Sequence, residues 1–133
     1  MNQSVRQDCA RAMFEALDGC HDVDVTSYLD DATLLHVSGA SGLAGDYQGQ
    51  EVILELLGRL ATLTGGTLRC GPWTSTTSTT ARATTAVRGP LVAERHGRRL
   101  ATTVEVAVDV EGDIVREVWI SDLKAPAFDD FWA

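Results

Sequence analysis

Apolar residues recur along this chain with two different periods, and the change from one to the other divides it. Between residues 3 and 17, Val5, Cys9, Ala12, Met13, Ala16 and Leu17 fall at helical spacing and form one stripe. The pattern predicts an amphipathic helix there, ended by Asp18-Gly19. A shorter helix is predicted over about 23–29, with Tyr28 and Leu29 turned inward. Asp30-Asp31 then turns the chain into a brief strand, 32–37. Residues 38–49 hold four glycines and no periodicity, so they read as loop. The clearest helix follows at 50–63, where Val52, Ile53, Leu56, Leu57, Leu60 and Leu63 make a broad apolar face and Gly65-Gly66 stops it.

From Thr67 onward the period falls to two. Threonine and valine are dense, and both favour extended backbone. Strands are predicted at 67–78, 81–95, 99–110 and 114–121. In the third, Val104, Val106, Val108 and Val110 share one face while Glu105 and Asp109 share the other, the mark of a half-buried antiparallel strand. Gly97 and Gly112 fall at hairpin tips. The threonine run at 74–85 reads as strand surface, because valines and a tryptophan flank it. Phe128, Phe131 and Trp132 make the C-terminal tail aromatic, so it is expected to dock, on its own sheet or on a partner chain. Helices first and a meander of long strands afterwards predict an α+β fold. The expected architecture is a cone-shaped, curved antiparallel sheet packed on three N-terminal helices.

The chain has 133 residues, enough for one domain (1–133) that buries roughly two thirds of its unfolded surface. Its net charge of −8 repels polyanions, which argues against nucleic acid and an anionic membrane surface as partners. No apolar run reaches the roughly 18 residues of a membrane span. The first residues lack the pattern of a signal peptide, and a cytoplasmic protein is expected. Three cysteines without CxxC spacing predict no disulfide framework and read as small apolar residues in a reducing compartment. His21, His36 and His96 lie far apart without metal-ligand spacing, so no metal is expected. No phosphate loop, dinucleotide fingerprint or nucleophile elbow is present, and no cofactor is expected.

Several short stretches resemble a known family. Asp30-Asp31-Ala32-Thr33 is similar to the DDAT entry to a first strand. His36-Val37-Ser38-Gly39, followed by Gly42-Leu43-Ala44-Gly45-Asp46-Tyr47-Gln48-Gly49, is similar to the HxPG…LAGxYxG stretch of SnoaL-like proteins, with serine in place of the proline. Thr64-Gly65-Gly66-Thr67-Leu68, Ala93-Glu94-Arg95 with Gly97-Arg98, Val118-Trp119 with Asp122, and Phe131-Trp132 also fit. By these, nearly the whole chain resembles the SnoaL-like branch of the nuclear transport factor 2-like superfamily, which includes the ketosteroid isomerases. The resemblance implies a cone whose sheet curls over helices and leaves a blind, mostly apolar cavity. It implies fold far more than reaction, because this fold hosts isomerases, cyclases, hydrolases, dehydratases and plain binding proteins.

The resemblance also nominates side chains. His36 falls where ketosteroid isomerases carry their general-base aspartate, and an imidazole titrates where it can accept or donate a proton. Asp122 falls near the acid/base aspartate of SnoaL-like cyclases, although it stands three residues from Trp119 and a regular strand would turn the two to opposite faces. Its alternative role is to cap the C-terminal segment. Glu117 shares parity with Trp119 and could be an inward acid, or it could pair with an arginine such as Arg95 across the sheet. Trp119, Trp73, Phe14, Tyr28, Tyr47 and Val106 are candidate pocket walls or plain core. Phe14 and Val106 also stand where the isomerase keeps its oxyanion donors; neither can donate, which excludes a steroid isomerase of that design.

Two functions follow as expectations. One is a cofactor-independent enzyme (a polyketide-type cyclase, an isomerase, or a related lyase or pericyclase) acting on a hydrophobic substrate in the cone through His36, Asp122 and Glu117. The alternative is a non-catalytic small-molecule-binding or accessory protein. Convergent polar groups in the cavity would favour the first, an all-apolar lining the second. A homodimer is expected under either.

Overall fold

Side-chain parity along three long strands decides what this fold encloses. The computed structural model describes residues 3–18, 25–76, 85–124 and 127–132. Helix α1 (Gln3–Glu15) leads to a single 3-10 turn (Thr26–Tyr28), strands β1 (Leu34–Val37) and β2 (Gly45–Gln48), and helix α2 (Gln50–Leu63). Strands β3 (Arg69–Cys70), β4 (Thr74–Thr76), β5 (Thr85–Arg95), β6 (Arg98–Glu111) and β7 (Ile114–Asp122) follow, and helix α3 (Ala127–Trp132) closes the order. The strands form one curved, open sheet in the order β2-β1-β7-β6-β5-β3, with β4 paired to β5.

The α+β cone is as expected, and α2 matches its predicted span residue for residue. Its end is a Schellman motif: Gly65 (φ +59°) and Gly66 (φ +77°) let the Gly65 and Gly66 amides reach back to the carbonyls of Thr62 and Ala61. Val52 is the exception on its apolar face, being 42% exposed.

Four details differ from the sequence reading. The sheet is mixed, because β1 runs parallel to β7. The described part of the second helix is one 3-10 turn, and a further short helix, α3, follows the sheet in the aromatic tail. The glycine loop contains β2, an exposed edge strand. The described part of the predicted strand 67–78, which ends at Thr76, is two short strands, interrupted at Gly71-Pro72-Trp73, where proline has no amide to give a ladder.

The core lies between α1 and the concave face of β5 and β6. Cys9, Ala12, Met13 and Leu17 of the α1 stripe are buried there, as are Val104, Val106, Val108 and Val110. At β6–β7 a bulge between Asp109 and Val110 re-phases β7, so that Val115, Val118 and Ile120 all face the core. Among the described residues no helix is long and apolar enough to cross a membrane.

Candidate functional site

The concave face encloses a cavity of about 30 Å³, the space of roughly one water molecule. Its walls are Leu17 of α1's end, Val37 of β1, Leu43, Leu56 and Leu60 of α2, Leu68, Leu91 of β5, Ile120 of β7, and Phe128 and Trp132 of α3. Every one of these side chains is a hydrocarbon or an aromatic ring. The aromatic tail thus docks on its own cone, with Phe128 and Phe131 buried.

His36 is on the other side of the sheet. Leu35 is buried in the core and Val37 lines the cavity, so strand parity turns His36 away from both. There it stacks on Trp119, its register partner across the parallel β1–β7 pair, at 5.6 Å between ring centroids and 28° between planes. Trp119 packs on Ala86 and Ala107, a small cluster separate from the main core. The His36 ring bridges two carboxylates. Nδ1 lies 2.6 Å from Asp46 Oδ1 and Nε2 lies 2.6 Å from Glu117 Oε2. Both contacts are attractive only if both nitrogens carry protons. Burial pulls the imidazole's pKa down, but hydrogen bonds to Asp46 and Glu117, reinforced by their charges, outweigh it and raise the pKa above its ordinary 6.5. In the form that donates to both carboxylates, the ring has no lone pair with which to act as a base.

Glu117 therefore faces outward with Trp119, and its partner is His36 rather than Arg95, which lies at the far end of β5 on the concave face. Asp122 is opposite Val104 and shares its face with Ile120, so it does turn to the concave side. Its carboxylate is occupied there: Thr102 Oγ1 donates at 2.5 Å, Lys124 N at 3.0 Å and Phe128 N at 2.9 Å. The last of these satisfies a free amide in the first turn of α3. The structure does not bring Asp122 together with His36 and Glu117. Replacing Asp122 by alanine leaves those donors unpaired and should lower folding stability by about 2 kcal/mol, measured by urea unfolding, with Asp122→Asn losing less.

Of the expected walls, Phe14 and Val106 are fully buried core. Phe14 presses on Gly89, where a Cβ would come within 2.7 Å of its ring and 2.8 Å of the Pro72 carbonyl oxygen. Tyr28 and Trp73 are half-buried against the core. Tyr47 donates its hydroxyl to the Leu43 carbonyl at 2.7 Å and lines a surface groove with Val52, Glu55 and Arg59. None of the six side chains nominated as pocket walls is among the ten that wall the cavity; Leu17, Leu56, Leu60, Phe128 and Trp132 were read from the sequence only as apolar helix faces and a docking tail. Among the described residues no cluster of histidine, cysteine and carboxylate side chains could hold a metal.

No family model matches the chain. A search of curated proteins finds no match either. Solved structures do match over nearly the whole length. Bal32a, from a soil-derived mobile gene cassette, is 25% identical, covers 98% of each chain and superposes with a TM-score of 0.83. A nuclear transport factor 2-like protein from Burkholderia xenovorans is 14% identical, covers 100% of this chain and 99% of its own, and has a TM-score of 0.75.

The chain has the nuclear transport factor 2-like fold.

A third structure of similar shape, TerC co-crystallised with polyporic acid, is 18% identical, covers 92% of this chain and 96% of its own, and has a TM-score of 0.68. In the nuclear transport factor 2-like fold of this chain, then, the cavity has an apolar lining and the cluster of His36, Asp46 and Glu117 lies on the opposite face of the sheet.

Proposed function

We propose that this chain is a SnoaL-like small-molecule protein whose cone takes up a hydrophobic ligand without turning it over. The observation that carries the reading is the lining: among the described residues, ten apolar side chains wall the space and no polar side chain joins them. Orientation by hydrogen bonds, which acid–base catalysis needs, has nothing to start from there. TerC, a protein of the same shape obtained with an organic molecule, supports a small-molecule role. The cavity is small, so a ligand must push side chains of α2 and α3 aside.

Naphthalene tests this as a neutral apolar compound. Its saturable binding to the full-length protein, followed by its own fluorescence, is expected, and Leu56→Phe and Leu60→Phe should each weaken it by narrowing the cavity. Absence of saturable binding, or binding indifferent to both substitutions, contradicts the reading.

A second reading is a cofactor-independent cyclase, isomerase or related lyase or pericyclase. One observation favours it: Asp122 shares its face with Ile120, which lines the cavity. The homodimer belongs to either reading, paired through the outer sheet face around the partly exposed Trp119. Sedimentation should then give twice the chain mass, and Trp119→Glu should return the monomer.

A further inference from the structure

Leu56 stands between two spaces. On one side is the cavity of about 30 Å³. On the other is the surface groove of about 400 Å³ that Tyr47, Val52, Glu55 and Arg59 line with it. The Leu56 side chain is a wall of both, yet the residue is only 4% exposed, so it closes the passage from one to the other. A hydrogen bond ties the two spaces together a second time: the Tyr47 hydroxyl, in the groove, donates to the carbonyl of Leu43, a cavity wall. Val52, the exposed exception on the apolar face of α2, lies one turn before Leu56 on the same stripe. With the Tyr47 ring it gives the groove an apolar surface that runs up to the partition, while the exposed Glu55 and Arg59 form its rim.

Neither space alone suits a small molecule. Binding pockets measure about 300–1,000 Å³ and bury most of the ligand. The cavity is far below that size, and the groove is open to water along its length. Joined, they are large enough and have a closed, apolar inner end. Leu56 is the wall best placed to join them. Val37, Leu91 and Ile120 are backed by the sheet itself, and Leu17, Leu43 and Leu68 by packed core, so moving any of them displaces other side chains. Leu56 has open groove behind it. A change between the two side-chain rotamers that a helix allows displaces only water there.

We propose that cavity and groove are two halves of one binding site with Leu56 as the gate between them. The ligand is an elongated apolar molecule, too long for the cone alone. Its inner end fills the cavity, its middle passes the displaced Leu56, and its outer end lies along Val52 and Tyr47 with a polar terminus left in water between Glu55 and Arg59. This rests on the reading of the cone as a hydrophobic ligand site and adds the entrance and the shape of the ligand.

The test compares naphthalene with 2-(6-hydroxyhexyl)naphthalene, which adds a chain and a polar end to the same rings. Each is titrated into the full-length protein and followed by its own fluorescence. The chain-bearing compound is expected to bind about tenfold more tightly. Val52→Asp should remove that advantage and leave naphthalene's affinity as it is, because it puts a charge in the groove and none in the cavity. A carboxylate in the first turn of α2 also suits the helix, so this variant should fold. Leu56→Ala should speed the association of both compounds by about tenfold in stopped-flow mixing, because the gate is gone. Circular dichroism verifies that each variant is folded, and Val52→Asp decides alone if Leu56→Ala is not. Val52→Asp that weakens neither compound, or both alike, overturns the proposal, as do unchanged association rates in folded Leu56→Ala. Naphthalene's saturable binding then still leaves the hydrophobic cone standing. Failure of both compounds to bind overturns the two together.

Discussion

Phe14→Ala is expected to cost about 4 kcal/mol of folding stability, the range for emptying a buried phenylalanine site. The ring is fully buried under α1, and it touches Gly89 where the β5 backbone has no side chain of its own to move into the gap. Collapse around the void is therefore limited. For a domain whose total stability is of the order of 10 kcal/mol, urea unfolding reads such a loss easily. The number discriminates between roles. A wall facing an open ligand space has contacts on one side only, and its truncation would cost about 1–2 kcal/mol. A loss that small would mean that Phe14 fronts a hollow, and that the ligand space extends further along α1 than the structure has it.

Substituting His36 should cost about 2 kcal/mol near pH 6 and much less at alkaline pH. The ring supplies two charge-assisted hydrogen bonds, each of the kind worth about 1.5–3 kcal/mol when sheltered. Asp46, with 77% of its side chain exposed, earns little of that; Glu117, at 17%, contributes most. The folded-state pKa of His36 is raised above its ordinary value. Its contribution is therefore complete below the unfolded pKa of about 6.5 and is lost as pH rises through the folded one. Wild type should lose stability over that window, and His36→Ala should flatten this part of the profile. Urea unfolding across the range from pH 6 to about pH 9 checks it. A difference between the two proteins that stays constant with pH would mean that folding leaves the imidazole's pKa where it is in the unfolded chain, and that the two carboxylates do not stabilise its charge.

Local patterns made the fold legible, and long-range pairing hid part of the site. Helix α2 could be read because its leucines repeat on one face, and β6 because its valines alternate. Strand β2 escaped because an exposed edge needs no alternation: Gly45-Asp46-Tyr47-Gln48 buries no side chain fully. The parallel pairing of β1 with β7 joins residues about eighty positions apart, for which no local pattern exists. That pairing sets His36 beside Trp119 and Glu117. The orientation of His36 was nevertheless available from parity, since buried Leu35 on one side and Val37 on the other require it to face away. Parity also separated Asp122 from Trp119 correctly. The bulge between Asp109 and Val110 could not be foreseen, and it determines which β7 residues line the cone.

The division of labour between the two sheet faces is open to direct test by methyl-resolved NMR of the full-length protein titrated with naphthalene. Methyl signals of Val37, Leu60, Leu91 and Ile120 should shift together and saturate, while the Trp119 indole N–H and the His36 ring protons stay in place. Shifts at Trp119 and His36, with those methyls unmoved, would locate the ligand on the outer face and contradict the account.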